Sequence, residues 1–398
     1  MKRSCILSAV AALLAIVICI LSCSCAKEPK EVSCGYSRST NLGSGDESGA
    51  DTVLAGLAFA MLGKLPNESG DNVCISPFSA AMCLAMIANG AGGETRAQIE
   101  ALLGMKTAAL NRAFLALGDR LCADASAFSS ANSLWLREGM NVYPEFLQAN
   151  ADNYGAEIFT SPFDDRTAKD INRWAEKKTD GMIKDLIDRL DPDALAVIVN
   201  AVCFEAMWEE KYEKDDISDG VFRCRDGTES AVKLLSSSER DYIGTPRADG
   251  FVKRYLSEDG APAFGFVGLL PVDKNEDIFD FARSLDGGEW MDMWNKKSGA
   301  VRVKLPEFGF DYKVELKDVL AALGVTDMFD PGKADLGGIA DCAMSCSRMI
   351  HQTHIEVDRN GTRAAAATAA VFDSAAMSSD KVLVFDRPFM FMIVDYAT

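Results

Sequence analysis

The stretch Gly361-Thr362-Arg363-Ala364-Ala365-Ala366-Ala367-Thr368-Ala369-Ala370 follows closely on a strand-like run, His351 to Val357. Small uncharged residues dominate it, and Arg363 is its one charge. Read as a strand from Thr362, its even positions are Thr362, Ala364, Ala366, Thr368, Ala370 and Phe372, whereas both charges, Arg363 and Asp373, fall on odd positions. Because a strand has period two, one face would carry only small or apolar side chains able to slide between existing strands. The other face would keep the charges in water. Alanine is also the best helix former, so propensity alone favours a helix or a loop here. The surroundings decide for an insertable strand.

Those surroundings belong to a chain of 398 residues, 48% hydrophobic, with 31 Gly and 12 Pro, enough to bury a large core. Lys2 and Arg3 precede an apolar run from Ile6 to Leu21, which reads as a secretory signal over residues 1–22. Ile20-Leu21-Ser22-Cys23 resembles a bacterial lipobox, so Cys23, or alternatively Cys25, is expected as a lipidated mature N-terminus. Residues 23–49, rich in Ser, Gly and charge from Lys27 onward, read as a flexible tether. The expected location is therefore the bacterial cell envelope, by a lipid anchor, or the extracellular space.

The formal charge of −18, from 59 acidic against 41 basic residues, disfavours nucleic acid and polyanion partners. There is no Cys-x-x-Cys pair and no His-Glu-x-x-His helix, so neither a metal nor a cofactor is expected. Cys342 and Cys346 are candidates for a disulfide. The only two histidines, His351 and His354, lie three apart on one strand and so face opposite sides. With no Gly-x-Ser-x-Gly elbow either, an enzyme is not expected.

Helical apolar spacing predicts helices over Asp51 to Leu65, Ser76 to Asn89, Glu94 to Leu103, Thr107 to Cys122, Tyr143 to Tyr154 and Ala168 to Lys178. Ser76-Pro77 supplies a hydroxyl cap followed by proline at the first helical position. Strand-like runs are Ser133 to Leu136, Ala196 to Phe204, Phe251 to Tyr255, Phe264 to Leu270, Val301 to Phe310, Val382 to Phe385 and Phe389 to Val394. Helices early and strands late indicate an α+β fold, in one domain over residues 50–398.

These blocks together resemble the serpin family. The resemblance rests on Asn72-Val-Cys-Ile-Ser-Pro-Phe-Ser79 with Ala91-Gly-Gly-Glu-Thr95, and on Ile171-Asn-Arg-Trp174 with Thr179-Asp-Gly181. It continues through Asn200-Ala-Val-Cys-Phe204 with Trp208, Leu305-Pro306, Ala334-Asp-Leu336, His351, Gly361-Thr362, Ala364 to Thr368, and Asp386-Arg-Pro-Phe389.

The resemblance implies three sheets, eight or nine helices and an exposed reactive-centre loop. It implies a monomeric suicide inhibitor whose cleaved loop inserts into the largest sheet and traps a serine protease as an acyl-enzyme. A non-inhibitory binding or carrier protein, and a trap for cysteine proteases, are the alternatives. Gly361 to Thr368 match the family's hinge, and Ser76, Ser79, Asn200 and His351 match a polar gate where the two central strands part. Trp208 matches the upper end of that opening.

Counting from the hinge places the cleaved bond at Ala375-Ala376, and counting back from Pro388 places it at Met377-Ser378. Either bond suits elastase-like or chymotrypsin-like proteases better than trypsin-like ones. The sequence departs from the family at Arg359, where an acidic residue is usual, and at Asp395-Tyr-Ala-Thr398, where it stops before the family's last buried strand. A domain truncated at that strand is the expectation.

Overall fold

The computed structural model describes residues 29–39, 49–65, 71–121, 127–191, 193–257, 264–362 and 381–396; side chains of residues 129, 130, 200, 202 and 203 are outside that description. The reactive bond, hinge residues 363–368 and Cys23 and Cys25 therefore lie outside the described residues.

Among the described residues, nine α-helices surround three sheets. The helices are α1 (Ala50–Leu62), α2 (Pro77–Ala88), α3 (Gly93–Leu103), α4 (Thr107–Leu121), α5 (Pro144–Tyr154), α6 (Asp165–Lys178), α7 (Ile278–Ser284), α8 (Gly287–Asn295) and α9 (Lys317–Ala322). The mixed α+β architecture agrees with the reading of the sequence.

The large sheet runs β1 (Lys30–Glu31), β3 (Glu157–Ser161), β2 (Phe128–Arg137), β4 (Ala196–Phe204), β13 (Arg348–Val357), β14 (Gly361–Thr362), β5 (Ala206–Met207), with β12 (Phe308–Glu315) also paired to β13. The second sheet is β16 (Met390–Asp395), β10 (Phe264–Pro271), β9 (Ala248–Arg254) and β8 (Asp241–Gly244). The third is β15 (Val382–Val384), β11 (Val301–Pro306), β7 (Glu229–Glu239) and β6 (Ile217–Arg223).

The large sheet is covered on both faces. Helix α2 is apolar all round, and every residue from Phe78 to Ala88 is buried, as a helix packed on all sides must be. It belongs to the main core together with Ile198 and Met349. On the opposite face Ile171, Trp174 and Ala175 of α6 pack with Trp135, Val197, Val199 and Ile350. Consecutive residues of β4 and β13 thus point to different layers, as period two requires. Helix α6 starts where Asp164 accepts hydrogen bonds from the amides of Arg166 and Thr167.

Two features depart from the sequence reading. The run Val301 to Phe310 divides at Glu307, because β11 joins the third sheet and β12 the large one. Part of the stretch read as a flexible tether is strapped to the body. Val32 donates its amide to the Ile158 carbonyl at 2.7 Å, and the buried Ser33 hydroxyl accepts from the Ile158 amide at 2.9 Å. Arg38 grips Asp119 on α4 with two hydrogen bonds, and Asp152 on α5 accepts the Ser39 amide. Specific partners offset the chain entropy that composition alone suggested would win.

Strand β16 is an edge of its sheet. A cavity of about 810 Å³ runs along it, lined by all of Met390 to Asp395 and by Leu54, Phe128, Phe264, Trp294, Phe308 and Phe310. Cys342 and Cys346, the candidates for a disulfide, are free thiols.

Candidate functional site

The two central strands of the large sheet, β4 and β13, are parallel and pair only at Val197↔Arg348, Ile198↔Met349 and Val199↔Ile350. The next positions in register are Asn200 and His351, and from there the strands part. At the far end β14 lies between them, pairing antiparallel with β13 at Val357↔Thr362 and with β5 at Ala206↔Thr362 and Met207↔Gly361. Residues 200–205 on one side and 351–356 on the other face each other without a backbone ladder among the described residues. The slot is six residues deep, about 20 Å at the usual strand rise.

The lower end of the slot is built on the start of α2. The Ser76 hydroxyl accepts from the Ser79 amide at 3.2 Å, capping the helix, while the Ser76 amide donates to His351 Nε2 at 3.0 Å. His351 is 3% exposed, and burial lowers its pKa to about 4, so Nε2 carries a lone pair that the amide can use. Thr353, on the same face of β13, donates its hydroxyl to the Cys74 carbonyl at 2.9 Å. Asn200 stands opposite Asn132 in the β2–β4 ladder. His354 points the other way, with Nδ1 2.9 Å from Asp311 Oδ1.

The upper end is a clasp around the turn that joins β13 to β14. Asp358 forms the turn, its carboxylate accepting from the amides of Asn360 at 2.6 Å and Gly361 at 3.1 Å. All three carbonyls of the turn are then taken by two aromatic residues. Trp208 donates Nε1–H to Asp358 O at 2.8 Å and its amide to Asn360 O at 2.9 Å, and the Tyr212 amide donates to Arg359 O at 3.1 Å. The Arg359 side chain is exposed and makes no ion pair among the described residues.

Thr362 is 2% exposed and shares a 2.5 Å hydrogen bond with Tyr255, whose ring stacks on Trp208 at 4.5 Å between centroids. Gly361 is there because nothing larger fits: a Cβ would lie 2.1 Å from the Ala206 carbonyl oxygen.

Ser76, Ser79 and His351 therefore come together at the closed end, and Trp208, Gly361 and Thr362 at the other. The expected gate is two groups separated by the length of the slot. Tyr255, Tyr212 and Lys253 were not singled out from sequence. Strand parity carried a signal for two of them, since Phe251, Lys253 and Tyr255 alternate onto one face, and Phe251 and Tyr255 are buried.

The family model described as Serpin (serine protease inhibitor) matches residues 52–398. The leukocyte elastase inhibitor of Bos taurus is 31% identical over 348 residues, covering 82% of this chain and 90% of that protein. Serpin B6 of Pongo abelii is 29% identical over 355 residues, covering 84% and 93%. Among solved structures, the thermophilic serpin tengpin in its native state superposes with a TM-score of 0.86 at 31% identity, covering 93% of this chain and 97% of that one.

Proposed function

The chain belongs to the serpin family, protease inhibitors and not enzymes, and from that premise we propose that it traps serine proteases by completing the slot in its large sheet. One observation carries the reading. Gly361 and Thr362 already occupy the open end of a six-residue slot, in an antiparallel register that the following residues can extend.

Continued downward, that register sets Arg363 opposite Glu356 and Glu205, and Thr368 opposite His351 and Asn200. The six residues from Arg363 to Thr368 fill the gap. Ala364, Ala366 and Thr368 take the inward parity of Thr362, small enough to enter against α2. Arg363 takes the outward parity between two glutamates, a favourable cross-strand pairing.

At about 1 kcal/mol net each, the roughly one dozen backbone hydrogen bonds that six inserted residues complete, two per residue, contribute of the order of 10 kcal/mol before side-chain burial. That drives insertion once a protease cuts the loop beyond Thr368. The attached acyl-enzyme travels with it. A bond at Ala375-Ala376 or Met377-Ser378 fits an elastase-like or chymotrypsin-like target, and the similarity to a leukocyte elastase inhibitor supports the same class. We propose a location outside the cell, held at the bacterial envelope through Cys23 or alternatively Cys25, or released, on the strength of residues 1–22.

The test is incubation with pancreatic elastase, chymotrypsin and trypsin, followed by denaturing electrophoresis. A denaturant-resistant complex with the first two is expected. Loop cleavage with no complex rejects the proposal.

A further inference from the structure

Trp208 and Tyr212 hold the turn at 358–360, yet the segment carrying them has little regular structure of its own: Trp208 makes one isolated bridge, to Tyr255, and the residues up to Tyr212 form no strand or helix. What fixes the two rings lies beneath them. Lys253 on β9 is 3% exposed, a burial lysine tolerates only when paired. Its ammonium is 3.0 Å from Glu239 Oε1 on β7, 4.3 Å from the Tyr212 ring centroid and 5.5 Å from the Trp208 ring centroid. Burial penalises the charge, but Glu239 and Tyr212 outweigh it, so the pKa is raised and the side chain stays an ammonium. A desolvated cation facing two aromatic rings attracts both, and its one carboxylate partner pins it in place.

We propose that Lys253 is the positioning residue of the hinge clasp: its ammonium, anchored by Glu239, fixes the Trp208 and Tyr212 rings so that the Trp208 indole N–H and the backbone amides of both residues seat the turn and hold Gly361 and Thr362 inside the sheet. The proposal rests on the reading of residues 361 and 362 as the start of the inserting strand. Among the described residues the contacts of the Lys253 ammonium are Glu239 and the two rings, not Gly361 or Thr362. It acts through the two rings, and its contribution is to keep the first step of insertion already taken in the resting molecule.

Lys253→Met alone would strand the Glu239 carboxylate, so the informative variant is Lys253→Met with Glu239→Gln, compared with Lys253→Arg, which keeps the charge. Two readouts separate positioning from plain stabilisation. The first is amide hydrogen exchange at residues 358–362 against exchange across α2. The second is the number of inhibitor molecules consumed per protease molecule trapped.

In the double variant we expect exchange at 358–362 to rise about tenfold with α2 unchanged, the effect of weakening one or two hydrogen bonds. Consumption should rise severalfold, because a hinge that starts outside the sheet inserts later and more acyl-enzyme is hydrolysed first. Lys253→Arg should stay near the parent on both. Unchanged relative exchange at 358–362 in the double variant overturns the proposal, as does a uniform rise across the whole molecule. If the parent protein traps no protease, the inhibitory reading fails by itself, and the exchange comparison still decides the role of Lys253.

Discussion

His351 shows how much one side chain settles. Its imidazole accepts the Ser76 amide at the point where β4 and β13 part, and burial holds it neutral to about pH 4. In the unfolded chain the same group takes a proton near pH 6.5. Between those values the unfolded state binds more protons, so stability rises with pH. The contribution is complete above pH 6.5 and is lost as pH falls toward 4, at most about 3 kcal/mol. Urea unfolding midpoints measured from pH 7.5 to 4.5 should fall along that range, and His351→Gln should flatten the dependence. An equal slope in the variant would show that other groups carry it. The opposite facing of His351 and His354 was legible from parity alone, since period two needs no tertiary information. The partner of His351 was not. The Ser76 amide is 275 residues away, and only a family resemblance linked the two.

At the scale of elements, the described part of the proposed hinge is a strand of two residues, Gly361 and Thr362, whose entry depends on what it lacks. Gly361 has no Cβ to strike the Ala206 carbonyl, and Thr362 is just large enough to reach Tyr255. Thr362→Arg would have to bury a guanidinium where a hydroxyl now sits, at a cost of several kcal/mol. We expect that variant to be cleaved at the normal rate as a substrate, with the covalent complex reduced at least tenfold; undiminished complex formation would place the inward parity on the odd residues.

The elements read most faithfully from sequence were those whose own pattern is strong. Ala196 to Phe204 was found to the residue, and the capped start of α2 to within one. The strands β6 and β7, together with α7, α8 and α9, were missed. In Glu229-Ser-Ala-Val-Lys-Leu-Leu-Ser-Ser-Ser-Glu239 the apolar residues are too few and too clustered to alternate, and the three helices are nine residues or shorter. The strap at residues 30–39 was hidden for a related reason, because its anchors, Ile158, Asp119 and Asp152, are all distant in sequence.

For the whole molecule, the decisive quantity is the difference between a sheet with an open slot and the same sheet filled. The α+β class was legible because helices precede strands, and the sheet order was not, because β4 and β13 meet across about 150 residues of intervening chain. Among the described residues the facing edges of 200–205 and 351–356 are unpaired, while α2 and α6 already cover both faces. Cutting the loop should therefore release stability that the intact chain cannot reach. The measurement that tests this most directly is thermal unfolding of the protein before and after a single cut between Thr368 and Asp380. The account predicts a melting temperature raised by tens of degrees in the cut form, in line with about 10 kcal/mol of new backbone hydrogen bonding. An unchanged or lower melting temperature after the cut would contradict it.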